Sequence, residues 1–440
     1  MAWSIAFLIK SFKNPLPWTE NVEENELWDR KFFHNEVLER SPDIAWTGEI
    51  VPMMVLCLFL SYFIVYFCSW KGLKSTGMIV YVTAPLPYLL MTILLIKGLT
   101  LEGAGSGLKF LFVPDWKKLG NITIWQDAVV QIMYSSGVSF GPLLYYGTAR
   151  KPNDKIVGVS YYIPLINSGT SLYAALVIFS FLGHVSKKTG IPIEDISEGG
   201  LDLAFIAYPG LLSMLKGSNF WSIVFFIMLT TVGVDSVFGM FDFTIQYFED
   251  FFPAIRRTMR KEVYVLLLSI AFFLFGLIFC LESGFWIFDL FNTYSCGLTL
   301  VFLCVAEIYM IVWMFGIDNL DELMFFRTEE RFPKVFKIMI KFVTPLIIFV
   351  ILVVGIINEF FLNKSEMPKW ALWMGRLLML VPTFCSLIGL CYKLPVKNAE
   401  ELIDTQYEGK IAMKPLMFRG NQVQVTKVET IKSQPVNQVV

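Results

Sequence analysis

Asp235 lies near the middle of an apolar run, Phe220 to Phe241, that is long enough to cross a bilayer and holds no basic residue to pair with it. A lone carboxylate at membrane depth costs roughly 3 kcal/mol on insertion scales, so it normally faces a cavity, a partner or a bound cation. The alternative is a protonated or hydrogen-bonded structural aspartate. Its setting, Val232-Gly233-Val234-Asp235-Ser236, supplies a neighbouring hydroxyl and a glycine that loosens the helix. These are hard oxygen ligands suited to a small cation. A second polar cluster accompanies it. Gln131 and Ser135 stand four apart and share one helix face, and Asn167 and Ser171 repeat that spacing in the next apolar run. Two amides and two hydroxyls can bind an anion through neutral donors or offer oxygens to Na⁺. Each pair taken alone reads equally as an interhelical hydrogen bond. No Walker loop, nucleophile elbow, zinc spacing or histidine dyad is present, and His34 and His184 stand isolated, so enzyme activity is not expected.

Such residues need elements that hold them at a common depth. The 440 residues are 55% hydrophobic, 16% aromatic and only 17% charged, which marks an all-α polytopic membrane protein. Apolar stretches of spanning length fall at 50–70, 78–98, 123–149, 158–185, 219–248, 263–281, 285–315, 335–361 and 368–392, roughly nine full crossings preceded by a stub. Two are interrupted at mid-span, by Ser135-Ser136-Gly137-Val138-Ser139-Phe140-Gly141-Pro142 and, more softly, by Asn292-Thr293-Tyr294-Ser295-Cys296-Gly297. Non-helical backbone at that depth survives only where it lines a cavity or is buried in protein, and broken helices mark transporter binding sites. A simple proline kink against neighbouring helices is the other reading.

Lys71 and Lys74, Arg150, Lys151 and Lys155, and Arg256, Arg257, Arg260 and Lys261 fall in three turns that alternation places on the cytoplasmic side, with the tail after Leu394. Segments 13–48, 99–122 and 186–218 then face outward, and the sequons at Asn121 and Asn363 land on that side as candidate glycosylation sites. The domain organisation expected is a stub over 1–12, an extracellular loop over 13–48, a transmembrane domain over 49–394 and a polar, largely disordered cytoplasmic tail over 395–440. Cys57, Cys68, Cys280, Cys296, Cys304, Cys385 and Cys391 all fall in apolar segments and read as small core residues. A net charge of −1 gives no handle for nucleic acid.

Leu16-Pro17-Trp18, Trp70-Lys71-Gly72-Leu73-Lys74-Ser75-Thr76-Gly77, Pro114-Asp115-Trp116, Asn167-Ser168-Gly169-Thr170-Ser171, Leu203-Ala204-Phe205-Ile206-Ala207-Tyr208-Pro209 and Gly233-Val234-Asp235-Ser236 resemble, in order and spacing, the sodium- and chloride-dependent neurotransmitter symporter family. The resemblance runs from the start to about residue 395 and implies that family's own known fold, a leucine-transporter-like inverted-repeat bundle. It implies one Na⁺ site at the Val232 carbonyl, Asp235 and Ser236, and another at Ser135 and Asn167. By the same resemblance Gln131, Ser135, Asn167 and Ser171 match the chloride site, while Tyr134, Phe140, Ser236, Val237 and Met240 match the wall of the substrate pocket. The implied activity is symport at the plasma membrane of a small solute (an amino acid, a GABA-like compound or an amine) with Na⁺ and Cl⁻ as co-transported or bound ions and no organic cofactor. The implied surroundings are the lipid bilayer, with oligomerisation left open.

The chain also departs from that pattern. Met1-Ala2-Trp3-Ser4-Ile5-Ala6-Phe7 aligns with the latter half of the family's third helix, so the first two and a half helices, which hold other ion ligands, are lacking. The chain is therefore expected to be an incomplete record of a longer protein, or a truncated, non-transporting scaffold or regulatory partner of a full-length transporter. Asn292 stands at the position of an acidic outer-gate residue, the 19–41 loop lacks the family's cysteine pair, and Ser139 replaces a glycine beside Phe140. Uncharged Ser236, Val237 and Met240 lean towards a small amino acid or GABA-like solute.

Overall fold

Proline opens several of the helices, because the first helical turn needs no N–H from it: Pro52, Pro85 and Pro142 all stand there. The computed structural model describes residues 1–19, 31–151, 153–196, 200–362 and 367–391. Asn363, most of the acidic stretch in the first loop and the 395–440 tail lie outside the described residues. In chain order the principal helices are α1 (Ala2–Lys10), α2 (Pro52–Ser69), α3 (Leu73–Thr83), α4 (Pro85–Leu99), α5 (Ala104–Phe112), α6 (Ile122–Ser136), α7 (Pro142–Thr148) and α8 (Val157–Thr189). They continue with α9 (Ser218–Phe251), α10 (Lys261–Gly276), α11 (Gly284–Cys296), α12 (Leu298–Ile308), α13 (Ile317–Thr328), α14 (Thr344–Ile357) and α15 (Lys369–Cys391). Among the described residues there is no strand, only an isolated bridge between Ile50 and Leu281.

Eight helical stretches among the described residues are long and apolar enough to cross a membrane. The expected crossing at 123–149 is not among them, because it is two helices, α6 and α7, interrupted over 137–141. Gly137 ends α6 with φ +70°, and Gly141 precedes α7 with φ +98°, so the backbone turns left-handed on both sides of the gap. The softer interruption is also present: α11 stops at Cys296, Gly297 leaves helical geometry, and α12 begins at Leu298. The 285–315 crossing runs further than expected, since π-helical turns over Tyr309–Gly316 carry the helical path on to Thr328.

The main core gathers around Phe7 of the short first helix. Its ring centroid lies 5.0 Å from that of Phe226, 5.5 Å from Phe205 and 5.6 Å from Trp18 and Phe32. The Trp18 indole N–H donates to the buried Pro209 carbonyl at 3.0 Å, so two motifs 191 residues apart in sequence meet here. A second core, Met133, Leu300, Val301, Cys304, Ile348 and Ile351, binds α6 to α12 and α14. Cys57, Cys68, Cys280 and Cys304 are buried as expected, but Cys385 is exposed. It lies on α15, which packs against α11 and α12.

Candidate functional site

The break between α6 and α7 is the centre of the site, and each polar residue is positioned by a helix that borders it. Ser139 occupies the gap with φ +63°, a conformation that costs a non-glycine residue about 1–2 kcal/mol. Its hydroxyl donates to the Glu307 carboxylate of α12 at 2.8 Å, which offsets that cost. Next to it the Phe140 ring meets Tyr134 edge-on, centroids 5.5 Å apart at 83°. Gly141 fits because a side chain there would overlap the Phe243 ring of α9.

The second polar cluster is drawn together across α6 and α8. Ser135 Oγ donates to Asn167 Oδ1 at 3.0 Å, and Ser171 Oγ donates to the Asn167 carbonyl at 3.1 Å. Gln131 does not join this chain. It lines a cavity of about 360 Å³ between α6, α12 and α14 together with Gln126, Asp127, Val130, Leu298 and Ile351. Tyr134, Phe140, Val237 and Met240 do not line that cavity.

On α9, Asp235 is half-buried, and its Oδ1 is sealed from solvent with no hydrogen-bond partner among the described residues. The side chain of Thr83, at the end of α3, stands beside the carboxylate. Ser236 Oγ donates to the Val232 carbonyl at 3.2 Å, so two of the expected cation ligands touch each other. Val232, Ser236, Met240 and Tyr134 are left uncovered by the described residues, and Val237 packs towards the Phe241–Val265 cluster. Among the described residues no hydrogen bond joins Asp235 or Ser236 on α9 to Ser135 or Asn167 on α6 and α8.

Several polar residues at the same depth escaped the sequence reading. Glu307 is a lone carboxylate in the apolar run Leu298–Ile308, the same signal that singled out Asp235. Tyr88 and Thr92 of α4 hydrogen-bond Thr170 at 2.6 Å and Tyr173 at 2.7 Å on α8. Their spacing within one apolar helix marks a polar stripe, but only the packing supplies its partner. Asn121 is exposed, and its side-chain oxygen caps α6 by accepting from the Thr123 amide at 3.0 Å.

Residues 21–396 match the sodium:neurotransmitter symporter family. The sodium- and chloride-dependent GABA transporter 2 of Bos taurus is 33% identical over 425 residues, covering 90% of this chain and 70% of that relative. Its counterpart in Homo sapiens is 34% identical over 430 residues, with the same coverage. The human sodium- and chloride-dependent taurine transporter is 31% identical over 437 residues, 92% of this chain and 70% of its own length.

Proposed function

This chain belongs to the sodium:neurotransmitter symporter family, and on that premise we propose that it couples Na⁺ and Cl⁻ gradients to movement of a small amino-acid-like solute, of the GABA or taurine type, across the plasma membrane. Members of this family are membrane transporters, not enzymes. The observation that carries the reading is Asp235: a carboxylate in the middle of a membrane-length helix with one oxygen shielded and unpartnered among the described residues. In this proposal those three groups hold one Na⁺, and Ser135 and Asn167 contribute to a second. Gln131, Ser135, Asn167 and Ser171 receive Cl⁻. Tyr134, Phe140, Ser236, Val237 and Met240 form the solute wall, and their uncharged character suits a zwitterion whose own charges are met by the ions.

Coupling then follows from linkage: each ion and the solute prefer the same closed arrangement of α6–α7 against α8 and α9, so each raises the affinity for the others. The turns carrying Lys71, Arg150 and Arg256 face the cytoplasm in this reading, and Asn121 faces outward as a glycan acceptor. The test is uptake of radiolabelled GABA, taurine and glycine into proteoliposomes holding the purified chain. Uptake of at least one probe is expected, falling to background when choline replaces Na⁺ and sharply when gluconate replaces Cl⁻. Folded protein that takes up none of them would assign the chain to a non-transporting role, and uptake indifferent to both ions would overturn the ion sites.

A further inference from the structure

Asp242 follows Asp235 by seven residues on α9, two turns and about 10 Å along the same face. It is fully buried, and neither carboxylate oxygen has a hydrogen-bond partner among the described residues. Ser69 of α2, also fully buried, stands beside it with its own hydroxyl unpartnered. Thr76 of α3 adjoins the carboxylate too, but its hydroxyl hydrogen is already given to the Gly72 carbonyl at 3.1 Å. The titratable groups that face this pocket are Cys68 on α2, Tyr145 and Tyr146 on α7, Lys261 on α10 and Glu249 on α9 itself. Lys261 is the basic group among them, and its ammonium is 3.4 Å from Glu249, itself only 5% exposed. One lysine between two buried carboxylates neutralises one charge and leaves the other.

An ionised carboxylate in that position would be a buried, uncompensated charge, a state that proteins avoid by pairing or by neutralisation. A metal ion is poorly served here. Hard cations take about six oxygen ligands, while the side-chain oxygens that adjoin this carboxylate are the Ser69 and Thr76 hydroxyls. A proton needs only one oxygen and one neighbour. We infer that Asp242, with Ser69 as its hydrogen-bond partner, is a proton-binding site, distinct from the cation site proposed at Asp235. The proton comes from bulk water and returns to it, converting the carboxylate to a neutral acid whose O–H donates to Ser69 Oγ. Nothing else is consumed. Access of water to this end of α9 sets when the proton leaves, so occupancy is linked to the conformation of the bundle.

Infrared difference spectroscopy of the purified chain in lipid nanodiscs in mildly acidic, Na⁺-free buffer, at about pH 5 where exposed carboxylates are still ionised, tests this without relying on transport. Wild type minus Asp242→Asn is expected to show the loss of one protonated-carboxyl C=O band, which persists in Asp235→Asn. Asp242→Glu should restore a band at a shifted frequency, and it serves as the folded control if the asparagine variant does not assemble. A difference confined to ionised-carboxylate bands would overturn the proposal. So would a carboxyl band that Na⁺ abolishes at constant pH, which would make the pocket a cation site. Because the readout is spectroscopic, failure of solute uptake leaves it standing, and failure here leaves the transport reading untouched.

Discussion

A single carboxylate at half-depth needs surroundings that either hold its charge or remove it. Asp235 has the Thr83 side chain beside it and one sealed oxygen, whereas Asp242 two turns away has neither carboxylate oxygen hydrogen-bonded among the described residues. In the two proposals the same residue type on one helix takes different roles from its surroundings. In the transport reading, Asp235→Asn removes a charged ligand whose hydrogen-bonding or ionic contribution is about 1.5–3 kcal/mol. The Na⁺ concentration for half-maximal uptake should rise roughly tenfold or more, at about 1.4 kcal/mol per decade, while solute affinity at saturating Na⁺ changes far less. Unaltered Na⁺ dependence in the uptake assay would remove Asp235 from the ligand set.

At the scale of elements, the break between α6 and α7 is held open by strain and a compensating bond. Ser139→Ala keeps the left-handed backbone and loses the bond to Glu307, so it should destabilise by about 1–2 kcal/mol. Ser139→Gly loses the bond and the strain together and should stay close to wild type. Thermal melting of the purified variants orders them, and an alanine variant as stable as wild type would show that the Glu307 contact contributes nothing. A second joint lies between the turns flanking α8 and α13. Glu330 accepts the amides of Ile156 at 2.8 Å and Val157 at 3.0 Å at the start of α8, and Arg327 donates to the Arg150 carbonyl at 3.1 Å. The Val157 N–H, followed by that of Ile156, holds the Glu330 carboxyl below its ordinary range. A lowered acid contributes stability that is complete above its unfolded value, about 4.3 for glutamate, and is lost as pH falls through the folded value. Amide exchange at Ile156 and Val157 should therefore keep its protection from about pH 8 to about pH 5 and lose it only in stronger acid. Glu330→Ala should lose it throughout, and protection that already fades near neutrality would refute the capping role.

Across the whole molecule, close backbone approach works beside the burial of apolar side chains. α5 lies on α8 through Gly103, Gly107 and Gly183, and a methyl on Gly183 would stand 2.5 Å from the Gly103 carbonyl and the Gly107 nitrogen. Gly183→Ala should cost about 1–3 kcal/mol through overpacking, seen as a lower melting temperature. Gly169→Ala, with open space around it, should not. Equal behaviour of the two would mean that the α5–α8 contact is dispensable. The aromatic nest around Phe7 performs the complementary task, tying the first short helix, the 203–213 segment and α9 into one core.

Much of this was legible in the chain itself, and the reason is locality. Spanning length, the Gly-Pro break at 137–142, the four-residue polar spacings and the uncompensated Asp235 are properties of adjacent residues, so periodicity and composition reveal them directly. Glycine and proline marked the break within the 123–149 run, and the backbone dihedrals fix where α6 ends and α7 begins. Asp242 was missed because it stands one residue beyond the apolar run, and Glu307 because it has no local partner. Partnership was decided by the tertiary structure alone. Ser139 and Glu307 lie 168 residues apart, Ser135 and Asn167 lie 32 apart, and Trp18 and Pro209 lie 191 apart. A single sequence records which face of a helix a side chain occupies, but which helix meets that face is set by packing among all of them.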